Sequence, residues 1–514
     1  MRWNRRAGAN HHYRNALKMR SMHLEEVNQQ NKDAKFTTDI QQNENIIRDT
    51  FQRCSDLEWR SIDVNLSTQW LVVYIDNLID KQQLEEFVIK PMQASAAAGR
   101  IANGPNELKN DVISVSMTSC SSSISQTIRN LLEGHAAILM PGSSDVLTVS
   151  IPDSTQRSLE EPPSEPVIRG PRDGFIEQIS TNISLIRSRL KTPKLKVEYI
   201  TLGELSRTRI AITYLEGIAL DTLVNEVRTR LKPIQLDGIL DSGYIEEFIE
   251  DQPFSPFPQV HSTERPDVVV AEMLEGKVAI LVDTTPFVMV APMTFWTGLQ
   301  ASEDYYIRWP VATFIRWIRI LFIHLAVFAP PLYVAVTTYH QEMIPTNLVL
   351  SIAASREAVP FPAMIEALLM EIIFEALREA GIRLPKQIGQ AISIVGGLVI
   401  GQAAVEAGFI SAPVVIIVSI TGISSFTIPR YSFANGIRLL RFPMLFLAGT
   451  LGLYGIVLGF IGVMLHVTSL RSFGVLYFSP LTPFKWTGLT DVLIRIPTWA
   501  KFRMPRNNQE GEQS

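Results

Sequence analysis

Cysteine is nearly absent, with two residues in 514, Cys54 and Cys120, and no CxxC pair between them. A disulfide framework is therefore excluded, which fits a reducing compartment for the part of the chain that meets water. Cys120 sits in the run SMTSCSSSISQ without an obvious histidine partner and reads as an inert thiol. Charge is scarce too: 19% of residues are Asp, Glu, Lys or Arg, against roughly 25% in soluble domains. The net charge of −4 supplies no basic field for nucleic acid. GxSxG, HExxH and GxxxxGK[ST] are missing, so no catalytic site, metal site or cofactor is expected and the chain does not read as an enzyme. His11 and His12 lack acidic or cysteine companions at ligand spacing.

The charges that are present crowd toward the N-terminal side, while hydrophobic residues make up 46% of the whole. That asymmetry predicts an α/β soluble region of two similar subdomains followed by an α-helical, multi-span membrane domain. Residues 1–45 read as a disordered basic and polar tail without the apolar core of a signal peptide. Residues 46–160 and 176–300 read as the two subdomains. WLVVYIDNLIDKQQLEEFVIKPM (Trp70 to Met92) and IAITYLEGIALDTLVNEVRTRLKPI (Ile210 to Ile234) both give strand, turn and amphipathic helix. LLEGHAAILMPGSSDVLTVSI (Leu131 to Ile151) is echoed by MLEGKVAILVDTTPFVMVAP (Met273 to Pro292), and both pairs are offset by about 140 residues, as a duplication would leave them. Between the copies, residues 161–175 form a linker in which RGPRDGF, with Arg169, Arg172 and Asp173, reads as a structural turn or interdomain contact.

Residues 310–470 read as the membrane domain, and 471–514 as a basic C-terminal tail. Stretches near 320–341, 387–405, 407–429 and 442–470 lack Asp, Glu, Lys and Arg and match the roughly 18–20 residues that cross a hydrocarbon core. Arg316 and Arg319 are expected to snorkel to the interface beside Trp309 and Trp317, and Pro330 with Pro331 to kink the first span. His324 is the one titratable residue expected inside it. With four spans and cytosolic ends, Arg430, Arg438 and Arg441 fall on the far side, which the positive-inside tendency disfavours.

The segment between the first two spans carries an amphipathic or re-entrant helix, 360–380, with Glu371, Glu375 and Glu379 at every fourth position and Glu366 before them. Like charges at that spacing repel, so this face is expected in water, at the membrane surface or in a cation-attracting vestibule. In the second span Gly389, Ser393, Gly397 and Gly401 recur every four residues, a face nearly free of side chains along which backbones approach closely. Gln390, Ser393, Gln402 and Glu406 are its polar positions able to meet water in a pore. The last span repeats the stripe with Gly452, Gly455, Gly459 and Gly462. Two such stripes predict a tight bundle or a homo-oligomer.

GKVAILVDTTPFVMVAP, EDYYIRW, PPLYVAVTTYHQEMIPTNL, SREAVPFPAMIEALLMEIIFEALREAGIRLPKQIGQAISIVGGLVIGQAAVEAG, RLLRF and SFGVLYFSPLTPF resemble the A subunit of the GerA-type spore germinant receptors, from about Phe51 to the C-terminal tail. The resemblance implies a protein of the spore inner membrane that works with a transporter-like B subunit and a lipoprotein C subunit. It also implies oligomerisation into a ligand-gated ion channel that starts germination. A non-conducting scaffold and a nutrient transporter-like binder are the alternatives; the latter predicts inverted repeats among the spans, whereas the duplication lies in the soluble half. If the glycine face packs against a neighbouring helix, Gly397→Leu lowers oligomer size at unchanged expression; an unaltered size by cross-linking contradicts close packing.

Overall fold

The computed structural model describes residues 34–499 except 66–67, 99–101, 103, 116, 154–160, 163, 384–400, 483, 485–490 and 498. Its first half is α/β. Strands β1 (Leu57–Asn65), β2 (Thr68–Ile75), β3 (Thr118–Ser121), β4 (His135–Leu139) and β5 (Val146–Ser150) form one sheet in the order β1-β2-β4-β5-β3. Strands β6 (Leu195–Leu202), β7 (Thr208–Leu215), β8 (His261–Thr263), β9 (Val278–Val282) and β10 (Val288–Ala291) form a second in the order β6-β7-β9-β10-β8. The two orders are the same once the strands are counted within each sheet, and every pairing is antiparallel. β-Branched and aromatic residues in TQWLVVYI and TRIAITYL suit these central strands, and helices cover both faces of each sheet. Ser123 caps the helix Ile124–Leu132 by accepting from the Gln126 amide.

The two lobes are joined through the edge of β6. The Ser55 amide donates to the Val197 carbonyl at 2.8 Å, and the Val197 amide donates to Arg53 at 3.2 Å. Beside this bridge Arg187 grips Asp56 with two hydrogen bonds, at 2.5 and 2.7 Å, and both side chains are buried. A bidentate guanidinium–carboxylate pair has one geometry, so it fixes the angle between lobes. The linker runs along the second lobe: Ser164 binds Glu264, Glu165 binds Thr263, and the Arg265 guanidinium holds the Pro171 carbonyl at 2.9 Å.

The second half is helical. Among the described residues two helices are long and apolar enough to cross a membrane, Trp309–Tyr339 with 31 residues and Tyr431–Ser469 with 39. The second is not a rod. The rings of Phe433 and His466 both lie close to Phe257, with centroids at 6.1 and 6.2 Å, yet a straight helix would hold them about 50 Å apart. The chain reverses at Gly452, whose φ of 63° and ψ of −142° suit glycine alone. A Cβ on Gly455 would come within 2.1 Å of the Leu447 carbonyl oxygen, and one on Gly459 within 2.3 Å of Met444 Sδ. Residues 431–451 and 453–469 are thus legs of one hairpin, and Gly455 and Gly459 seat one leg on the other; a Cβ added at Gly462 would meet nothing within 4 Å among the described residues.

Three expectations change as a result. The stretch near 442–470 is not a single span. The acidic face of helix Ala363–Arg383 is not in water at Glu366 and Glu371, which are buried: the helix runs along the bundle from Met364, against Gly449, to Arg378, beside Tyr431. Arg430 is not at the far end, because it pairs with Glu165 of the linker at 2.6 Å. After the second leg the chain is back at the lobes, where the Ser472 hydroxyl donates to the Gln259 carbonyl at 2.7 Å. The helix Ala412–Phe426 is shorter than the expected third stretch. Of the second stretch only residues from 401 onward are described. Asp56→Ala should strand a buried guanidinium at a cost of about 3–5 kcal/mol, read as faster thiol labelling of the neighbouring buried Cys54; unchanged labelling contradicts the clamp.

Candidate functional site

Proline begins the site. Pro330 has no amide hydrogen, so the carbonyl of Ala326, four residues earlier in the same helix, loses its helical donor. Arg441, on the first leg of the hairpin, supplies a replacement: its Nε donates to the Ala326 oxygen at 2.9 Å. Its Nη1 donates to Glu371 of the acidic helix in a short ion pair. Both side chains are sealed from solvent, at 1% and 0% exposure. One arginine therefore ties three helices together at the middle of an apolar bundle. Glu371 Oε1 and Arg441 Nη2 have no partner among the described residues.

Further ion pairs flank this one along the acidic helix. Toward the far end, Glu366 is fully buried and accepts from Arg356 at 3.1 Å, from the Ser411 amide at 3.0 Å and from its hydroxyl at 2.7 Å. Toward the lobes, Glu375 lies 3.3 Å from Arg378 and 3.9 Å from Arg438. Glu379 pairs with Arg383 at 2.6 Å, and both are exposed. Glu366 to Glu379 covers about 20 Å of helix. Removing charge from water is costly unless the charge is answered, and each of these four carboxylates has an arginine.

The acidic positions therefore differ from a water-facing stripe: Glu366 and Glu371 are interior and neutralised, Glu375 is half-buried, and Glu379 is open. Of the pore or packing candidates, Gly401 is buried against Val415, where an added Cβ would meet Cγ1 at 3.2 Å. Gln402 donates to Glu406 at 3.0 Å, with both exposed. No hydrogen bond or ion pair joins these two to the acidic helix among the described residues. Gly389, Gln390, Ser393 and Gly397 lie outside the described residues. His324 is exposed rather than interior, and its Nδ1 lies 2.7 Å from the Ile320 carbonyl oxygen. Arg316 and Arg319 do not snorkel: they are buried and share Asp304, at 3.2 and 2.7 Å.

In the sequence Arg438 and Arg441 stand out only through their bearing on topology. Their spacing of three, set against glutamates spaced by four, was the signal of facing helical faces.

The family model for the Bacillus/Clostridium GerA spore germination protein matches residues 45–507. The chain belongs to the GerA family. It is 44% identical over 481 residues to the membrane protein YfkQ of Bacillus subtilis (strain 168), covering 94% of this chain and 93% of that protein. It is 45% identical over 436 residues to spore germination protein KA of the same strain, covering 85% and 80%. A crystal structure of the N-terminal domain of the A subunit of the Bacillus megaterium spore germinant receptor GerK3 aligns at 31% identity, 51% of this chain and 98% of that one, with a TM-score of 0.41.

In this GerA chain a double-mutant cycle separates the worth of the Glu371–Arg441 pair from the cost of breaking it. Glu371→Leu or Arg441→Met alone should destabilise the protein by about 3–5 kcal/mol, whereas the double variant recovers most of that loss. Thermal unfolding in detergent reads all four corners; additive losses contradict the pairing.

Proposed function

We propose that this chain is the membrane subunit of a nutrient germinant receptor, and that copies of it assemble around a gated ion path whose opening starts bacterial spore germination. The observation that carries the germination role is the family match over residues 45–507, which takes in both lobes and the bundle. A transporter-like B subunit and a lipoprotein C subunit are the proposed partners, in the spore inner membrane with the lobes facing the core. The membrane reading is supported by exposed aromatics at both ends of the bundle: Trp309, Trp317 and Tyr431 toward the lobes, Tyr339 and Tyr454 at the far end. A receptor that senses nutrient and passes a signal through its helices needs no catalytic centre of its own.

The acidic helix supports a gated path through what its pairs prevent. With every carboxylate answered by arginine, one protomer offers little net attraction to cations; separating Glu371 from Arg441 or Glu375 from Arg438 would expose negative charge in a low-dielectric setting. The same pairing supports a second reading, a coupling subunit in which the ladder only holds helices together and nothing is conducted.

Ion flux distinguishes the two. The chain is reconstituted in liposomes with its B and C partners, with and without nutrient mixtures. The gated path predicts nutrient-dependent cation flux whose selectivity falls in Glu371→Gln with Glu375→Gln. Verified assembly and nutrient binding without flux leaves the coupling subunit.

A further inference from the structure

Phe254 has a relative exposure of 101%, so nothing among the described residues covers its ring. It ends an exposed tip, Asp251, Gln252, Pro253 and Phe254, that follows the helix Ser242–Ile249 of the second lobe. A lone exposed aromatic is ordinary, but the three residues after it give this one a fixed place. Ser255 Oγ lies 2.9 Å from His466 Nε2, on the second leg of the hairpin. The Pro256 carbonyl oxygen approaches Gly436, on the first leg, so closely that an added Cβ would lie 2.3 Å from it. The Phe257 ring packs against Phe433. The tip is thus nailed to the lobe-side ends of both legs.

The loop is also rigid on its own account. The Gln252 amide donates to Gln259 Oε1 at 2.8 Å, and Gln259 Nε2 returns a bond to the Gln252 carbonyl at 2.7 Å. The Gln259 amide binds Glu250 at 2.7 Å. A side chain held out by such a loop gives up little freedom when something covers it. The hairpin positions beside the anchors are apolar and exposed: Leu439, three residues after Gly436, and Leu465, next to His466, with Leu458 and Ile461 deeper on the second leg.

We propose that Phe254 enters the lipid surface beside the hairpin and anchors the second lobe to the bilayer. The proposal rests on the membrane reading given above, because lipid is what that reading places around the exposed apolar side chains of the hairpin. Phe254 is pinned at the level of that surface's lobe-side edge, where an aromatic ring partitions into the headgroup boundary. The lobe is then held at two points, by the hairpin and by the bilayer, and a tilt of the lobe has to lift the ring out of lipid.

The test uses the full chain in nanodiscs on a Cys120→Ser background, with an environment-sensitive fluorophore attached in turn at Phe254→Cys, Leu458→Cys and Met117→Cys. Met117 is exposed on the first lobe. Brominated phospholipid is the quencher, and the unsubstituted background corrects for labelling at buried Cys54. The proposal predicts strong quenching at 458, loss of about half the emission at 254, as befits an interfacial depth, and none at 117. Quenching at 458 without quenching at 254 overturns the anchor while leaving the membrane reading intact. Blue-shifted but unquenched emission at 254 means that protein covers the ring and also overturns the anchor. No quenching at 458 overturns the membrane reading and the anchor with it.

Discussion

An arginine enclosed by apolar helices is tolerated only where a carboxylate and spare carbonyls answer its charge and its donors. Arg441 answers its charge and two of its three nitrogens by reaching two other helices at once, taking Glu371 from one and the carbonyl left open by Pro330 from another. The requirement sets the rotation and the height of three helices together, because no other register joins the proline-freed oxygen to that carboxylate. It also explains why the hairpin must turn where it does: reversal at Gly452 lets the first leg carry Arg438 and Arg441 along the acidic helix while the second leg closes against it through Gly455 and Gly459.

The α/β half is tied to this bundle with little slack. Asp56 and Arg187 weld the lobes to each other, Glu165 of the linker holds Arg430 at the start of the hairpin, and Asp304 holds two arginines of the first long helix. Phe257 adds an apolar contact to both legs. Buried charge pairs and aromatic packing tolerate few intermediate arrangements, so these contacts hold the second lobe and the helices in one relative placement.

The duplication of the α/β half was legible in sequence because two long patterns recur with the same spacing, and the sheets repeat the same strand order. The helical half was legible as apolar runs but not as a path. Hydropathy registers how long a run is, not whether it reverses, and the turn in LAGTLGLYG contains no charge and no proline to mark it. The glycine stripe that follows suggested contact between helices, and nothing local says that the partner is the preceding leg of the same chain. The acidic face was visible in Glu371, Glu375 and Glu379, with Arg378 and Arg383 close by on the same helix; its partners on the hairpin were not, because Arg438 and Arg441 lie some 60–70 residues away and the pairing depends on the unseen reversal.

The reversal is the claim on which the register of the ion pairs depends, and one distance tests it. Spin labels at Ser432 and Ser469, both exposed, measured by pulsed dipolar spectroscopy in the full chain, should lie about 20 Å apart or less if the legs pack side by side at ordinary interhelical spacing. A separation of about 55 Å, the length of an unbroken helix between them, would contradict the hairpin and the ladder of charges built on it.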